Sequence, residues 1–110
     1  MTDREMLEFA AKAAGMDYLI WTTGAAPRVP REHRIGDRIF WHPRDDDGDA
    51  LRLAVKLRIG VLHRSSGIEA HTFRSCLIIC NEECAEGFDY YAATRRAIFR
   101  VAVEIGRNMT

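Results

Sequence analysis

The run Trp41-His42-Pro43-Arg44-Asp45-Asp46-Asp47-Gly48-Asp49-Ala50 is where this chain comes nearest to legible metal chemistry. Four aspartates crowd one glycine, and calcium is held by about six to eight oxygens from such loops. An EF-hand-like loop needs oxygen ligands at alternate positions, then Gly, and Glu at its twelfth position. With the loop glycine placed on Gly48, Asp45 and Asp47 fall correctly. The first ligand position then lands on Pro43 and the twelfth on Ala54, and neither side chain can ligate. The same residues suit a helix start. Asp46 or Asp47 can cap the first turn, and Asp49 can sit against the positive end of the helix dipole. The run therefore reads as an acidic helix cap, and no metal ligands or cofactor are assigned.

Cys76, Cys80 and Cys84 are spaced C-x3-C-x3-C. Structural zinc prefers C-x2-C or C-x4-C pairs with a second pair elsewhere. Even spacing puts Cys76 and Cys80 on one face of a strand, as small buried hydrophobes, and leaves Cys84 as a loop thiol. His33, His42, His63 and His71 have no metal-ligand spacing. His63 and His71 can face each other across a hairpin with Cys80 nearby, which gives a Cys/His enzyme reading, but no third, orienting group is identifiable.

Arginine offers a different chemistry, the bidentate recognition of phosphate. Arg28, Arg31, Arg34 and Arg38 lie in one loop with His33, and Arg95, Arg96 and Arg100 lie together near the C-terminus. The loop lacks interleaved aromatics for base stacking. Phe99 and Val103 read as apolar residues on the outer side of the last helix, beside these arginines. The candidate interaction surface is thus Arg28, Arg31, Arg34, Arg95, Arg96, Phe99, Arg100 and Val103.

The elements that must position these residues follow from periodicity and punctuation. Thr2-Asp3-Arg4-Glu5 is a capping box that opens a helix to about Ala14, with Gly15 as its stop. Tyr18 to Thr22 reads as a strand. Thr23 to Asp37, with Gly24, Pro27, Pro30 and Gly36, is a long loop. Arg38 to His42 reads as a strand paired with the first, ended by Pro43. Ala50 to Arg58 is helical, with Ala50, Leu53, Ala54 and Leu57 on one face, Leu51 and Val55 widening it, and Gly60 as the stop. Val61 to His63 and Ile68 to Phe73 form a hairpin about Ser65-Ser66-Gly67. Ser75 to Cys80 continues as strand, and Asn81 to Gly87 is loop. Asp89 starts the longest helix, to about Ile105, with Tyr90, Thr94, Ile98, Val101 and Ile105 down one face and Gly106 as the stop. Phe88 can staple its entry against Ala93. The expectation is an α+β domain over residues 1–110, a mostly antiparallel sheet of four to five short strands layered with three helices, in the order α-β-β-α-β-β(β)-α.

Composition narrows the function. The chain has 110 residues, 47% of them hydrophobic, enough for one core without disulfide or metal. Its 16 basic residues, 14 Arg and 2 Lys, balance 16 acidic ones, so no global field draws it to nucleic acid or an anionic membrane. No apolar leader is expected from its first residues, no run nears membrane-span length, and its few cysteines suit a reducing compartment. A cytoplasmic protein without a membrane partner is expected.

Two segments together carry a resemblance. Trp41-x-Pro43 runs into Asp46-Asp47-Gly48-Asp49-Ala50-Leu51-Arg52-Leu53-Ala54-Val55-Lys56-Leu57, and the last helix reads Tyr91-Ala92-Ala93-Thr94-Arg95-Arg96-Ala97-Ile98-x-Arg100-x-Ala102-x-Glu104-Ile105-Gly106. The chain resembles the phage ABA sandwich domain family of small phage and prophage proteins. The resemblance implies a layered α/β fold in a host cytoplasm, and it carries over no catalytic or ligand role. The leading expectation is a non-enzymatic accessory protein that binds another protein, whether a host or phage factor or a second copy of itself. The alternatives are nucleic-acid binding through loop 28–38 and the last helix, and a small enzyme with the Cys/His site.

Overall fold

The computed structural model describes residues 1–22, 26–34, 36, 39–73, 77–83, 87 and 89–109. The order of elements is α1 (Asp3–Ala13), a 3-10 turn (Arg31–His33), α2 (Asp47–Leu57), β1 (Gly60–Arg64), β2 (Gly67–Phe73), β3 (Leu77–Glu83) and α3 (Tyr90–Arg107). The class is α+β, with three helices and a three-stranded antiparallel sheet in the order β1-β2-β3 among the described residues.

Side chains on neighbouring backbone donors start each helix. Thr2 Oγ1 accepts from the Glu5 N–H while Glu5 Oε1 accepts from the Thr2 N–H, a complete capping box. Asp46 caps α2 by accepting from the Asp49 N–H at 2.8 Å, and Asp89 caps α3 by accepting from the Ala92 N–H at 3.1 Å. The aspartate run thus does the work of a helix start. Asp49, only 4% exposed, accepts from the His42 N–H at 2.9 Å and from Arg52 at 2.7 Å, tying the incoming chain to α2.

Hairpin register sets the two faces of the sheet. Val61 pairs with Ala70 and Ala70 with Cys80, while His63 pairs with Ile68 and Ile68 with Glu82. Ile68, Ala70, Thr72 and Cys80 are buried, which makes this the face turned to the helices. The buried Thr72 hydroxyl lies within 3.3 Å of the Arg58 carbonyl at the end of α2. Leu62, Glu69, His71, Phe73, Ile79 and Asn81 share the other face. There, exposed apolar residues alternate with polar ones.

α3 is the hub, packing on α1, α2, β2 and β3. Its contact faces carry Ala93, Ala97 and Ala102, and α1 and α2 meet it with Ala10, Ala11, Ala50 and Ala54. Small side chains let the helix axes approach closely. Leu53, Leu57, Ile98, Val101 and Ile105 fill the spaces between them.

Five expectations are corrected here. Tyr18–Thr22 does not form a paired hairpin with the described part of the second expected strand, residues 39–42. Arg28 lies between them, bridged to Ile20 on one side and Phe40 on the other. Pro27 and Pro30 flank Arg28, and residues without an N–H cannot extend a ladder, so only isolated bridges form. Among the described residues the sheet accordingly has three strands rather than four or five. β3 runs on to Glu83 through residues expected as loop, because Gly67 and Ile68 of β2 extend far enough to pair with Glu83 and Glu82. Gly60 does not stop α2. Arg58 takes the left-handed cap at φ 55°, and Gly60 starts β1, where a Cβ would press on the His71 ring. Gly106 does not stop α3 either. It lies within the helix, where a Cβ would overlap the Phe9 carbonyl of α1. Cys76, Cys84, Arg38 and the Phe88 staple lie outside the described residues.

Candidate functional site

Between α2, β1 and the first turns of α3 runs a groove of about 930 Å³. α2 contributes Ala50, Leu51, Ala54 and Val55, and the chain entering β1 contributes Ile59, Val61 and His63. α3 contributes Tyr90, Tyr91, Thr94 and Ile98. The walls are apolar, yet Leu51 is 64% exposed, Val55 70% and Tyr91 73%. Large apolar side chains concentrated on one concave surface mark a contact site more than scattered surface hydrophobes do.

Charges close the two ends. At one end Arg95 of α3 donates to Asp47 of α2 and to the Arg44 carbonyl. Arg58, exposed and held in the left-handed conformation, lines the other.

α2 buries Ala50, Leu53, Ala54 and Leu57. Leu51 and Val55, expected to widen that buried face, are instead exposed one turn apart and line the groove, since the four residues already fill the core side of the helix. Tyr90 and Thr94 were expected on the buried face of α3. Tyr90 is instead 46% exposed, and both line the groove.

The sequence-derived interaction surface does not assemble as one patch. Arg96 donates to Glu82 Oε1 of β3, and Arg100 donates to Glu82 Oε2 at 3.0 Å and to the Asn81 carbonyl. Arg95 turns the opposite way, to α2. Phe99 and Val103 are 2% and 5% exposed, which corrects their outward placement. The Arg44 guanidinium lies 5.6 Å from the Phe99 ring, and Val103 lies among residues that include Met6 and Ile78. The sides of α3 that carry Phe99 and Val103 are covered, while Arg96 and Arg100 hold its exposed side. In the loop, Arg28 makes backbone bridges, Arg34 donates to the Val29 carbonyl at 3.1 Å, and Arg31 is exposed on the 3-10 turn.

The histidine and cysteine residues do not converge. His71 pairs with Gly60 and Ile79, on the face opposite Cys80, and His63 pairs with Ile68. Cys80 is buried, and loss of hydration pushes its thiol pKa up, away from the thiolate that nucleophilic chemistry needs. Among the described residues no three His, Cys, Asp or Glu side chains are grouped to hold a metal ion, and no helix is long and apolar enough to cross a membrane. No protein-family model, curated protein or solved structure matches the chain.

Proposed function

We propose that this chain is a non-enzymatic protein-binding module that receives its partner in the groove between α2, β1 and α3. The phage or prophage accessory role implied by its sequence resemblance is part of that reading. The observation that carries it is the exposure of Leu51, Val55 and Tyr91 on one concave apolar surface. Burying an apolar side chain of this size fully is worth about 1.5–3 kcal/mol, so these three form a hot-spot cluster of ordinary strength. The pairing of Arg95, Arg96 and Arg100 with carboxylates supports a protein partner over nucleic acid, because each helix guanidinium already has an anionic neighbour.

The test compares Val55→Asp with Phe73→Asp, which removes an equally exposed apolar side chain from the open face of the sheet. Affinity isolation from the host should recover a discrete partner with wild type and Phe73→Asp and lose it with Val55→Asp. Equal recovery with both variants, or no associated protein with any, contradicts the reading.

A further inference from the structure

We infer that the groove takes an extended peptide segment that adds a fourth strand to the free edge of β1, with alternate apolar side chains in the groove and a carboxylate beside Arg58. This rests on the docking role proposed above and specifies the form and charge of the docked segment.

β1 is an outer strand of the sheet, and among the described residues no strand pairs with its far side. An unpaired edge presents backbone N–H and C=O groups to an incoming chain. That same edge borders the groove, because Val61 and His63 point to the helix side and line it. Side chains alternate along a strand, so a chain paired with β1 sends every second residue into the space before Leu51, Val55 and Tyr91. A helical occupant would contact the apolar walls and leave the edge unpaired. Strand addition uses both features, with backbone bonds for affinity and the groove for selectivity. The five residues of β1 match about five residues of peptide, since each strand residue advances about 3.3 Å.

Charge fixes the end of the peptide. Asp47 is engaged by Arg95, whereas Arg58 has no ion pair among the described residues. Arg58 holds a left-handed conformation that favours glycine, so the cap would be easier without this side chain. It stands just before β1, and an antiparallel strand ends beside the start of its neighbour. The peptide's C-terminal carboxylate, or an acidic residue near it, therefore meets Arg58. A second copy of this chain, paired antiparallel through its own β1, would instead bring its Arg64 towards Arg58, and Arg64 already engages Glu69, so Arg58 would gain no free carboxylate.

The probe is a soluble hexapeptide library with Val, Ile, Leu or Phe at two alternate positions and a free C-terminal carboxylate, screened against the full chain by fluorescence polarisation. The best binder is then made in two forms, N-methylated on one or the other alternating set of amides. One form should bind about tenfold or more weaker and the other within about threefold, as expected when only one set of amides faces β1. Arg58→Gly should weaken the parent peptide about fivefold or more without lowering the unfolding midpoint, and an amidated C-terminus should act in the same direction. The inference is overturned if no library member binds, if both methylated forms bind alike, or if the chain forms a dimer that Val55→Asp dissociates. If the peptides fail while Val55→Asp still abolishes partner association, strand addition falls and the docking role stands. If Val55→Asp has no effect on association, both fall.

Discussion

Arg95 of α3 grips Asp47 in the first turn of α2, and its Nε also donates to the Arg44 carbonyl at 2.9 Å. One side chain therefore ties α3 to both the acidic turn and the helix that follows it. Arg95 is 18% exposed and Asp47 64%, so the ion pair itself is partly screened. Arg95→Ala should cost about 1–2 kcal/mol, most of it from the unsatisfied carbonyl and lost packing. Asp47→Asn should cost less than about 0.5 kcal/mol. Urea unfolding of the two variants checks the asymmetry; equal losses would put the energy in the ion pair instead.

Gly106 illustrates a conflict between local preference and packing. Alanine is a better helix former by about 1 kcal/mol. A Cβ at this position would nonetheless overlap the Phe9 carbonyl, which is backbone and cannot rotate away. Gly106→Ala should destabilise the fold by about 2 kcal/mol or more as α1 is pushed off α3. A variant as stable as wild type would show that the two helices can separate freely.

Glu82 bridges two guanidinium groups, one on each carboxylate oxygen. Glu82→Ala should release Arg96 and Arg100 and create salt-dependent retention on heparin that wild type lacks. Two freed cations should steepen the log–log salt dependence of binding by about 1–2. The stability loss should stay below about 1 kcal/mol because both arginines are largely exposed. Strong retention of wild type would reinstate the nucleic-acid alternative.

Tyr18 donates to Glu32 at 3.0 Å, joining the chain after α1 to the 3-10 turn. Glu32 is held below its usual range by its own backbone N–H and then by the Tyr18 hydroxyl, while the carboxylate acceptor raises Tyr18. The depressed carboxyl stabilises above its ordinary value of 4.5, and that contribution fades as pH falls through the lowered folded value. The raised phenol stabilises below its ordinary value of 10.0, fading as pH rises through the higher folded value. Tyr18→Phe should move the Glu32 titration, followed by NMR, back towards 4.5 without restoring it fully, since the backbone donor remains. An unmoved Glu32 would show that the phenol contributes nothing.

The parts of the fold that were legible in sequence are those that local chemistry decides. Thr2 with Glu5, Asp46 and Asp89 each announce a helix start because the donors they satisfy lie within three residues. Ser65-Ser66-Gly67 announces the hairpin because small polar residues and glycine suit a tight turn between strands. What stayed hidden depends on distant neighbours. Phe99 and Val103 look outward-facing until Arg44 and α1 cover them, and Gly106 looks like a stop until Phe9 is placed against it. The groove itself was hidden. Leu51 and Val55 read as widening the apolar face of α2, whereas they are exposed, and their joining Tyr91 across the groove required the tertiary arrangement.

Photo-crosslinking tests the docking role most directly. A benzophenone amino acid is placed at position 91 in the groove and, separately, at position 79 on the open face of the sheet. Position 91 should yield one discrete adduct in the host, lost when Val55→Asp is added, while position 79 should yield none. Adducts of the same kind from both positions, or an adduct at position 91 that persists with Val55→Asp, would contradict the assignment of the groove as the partner site.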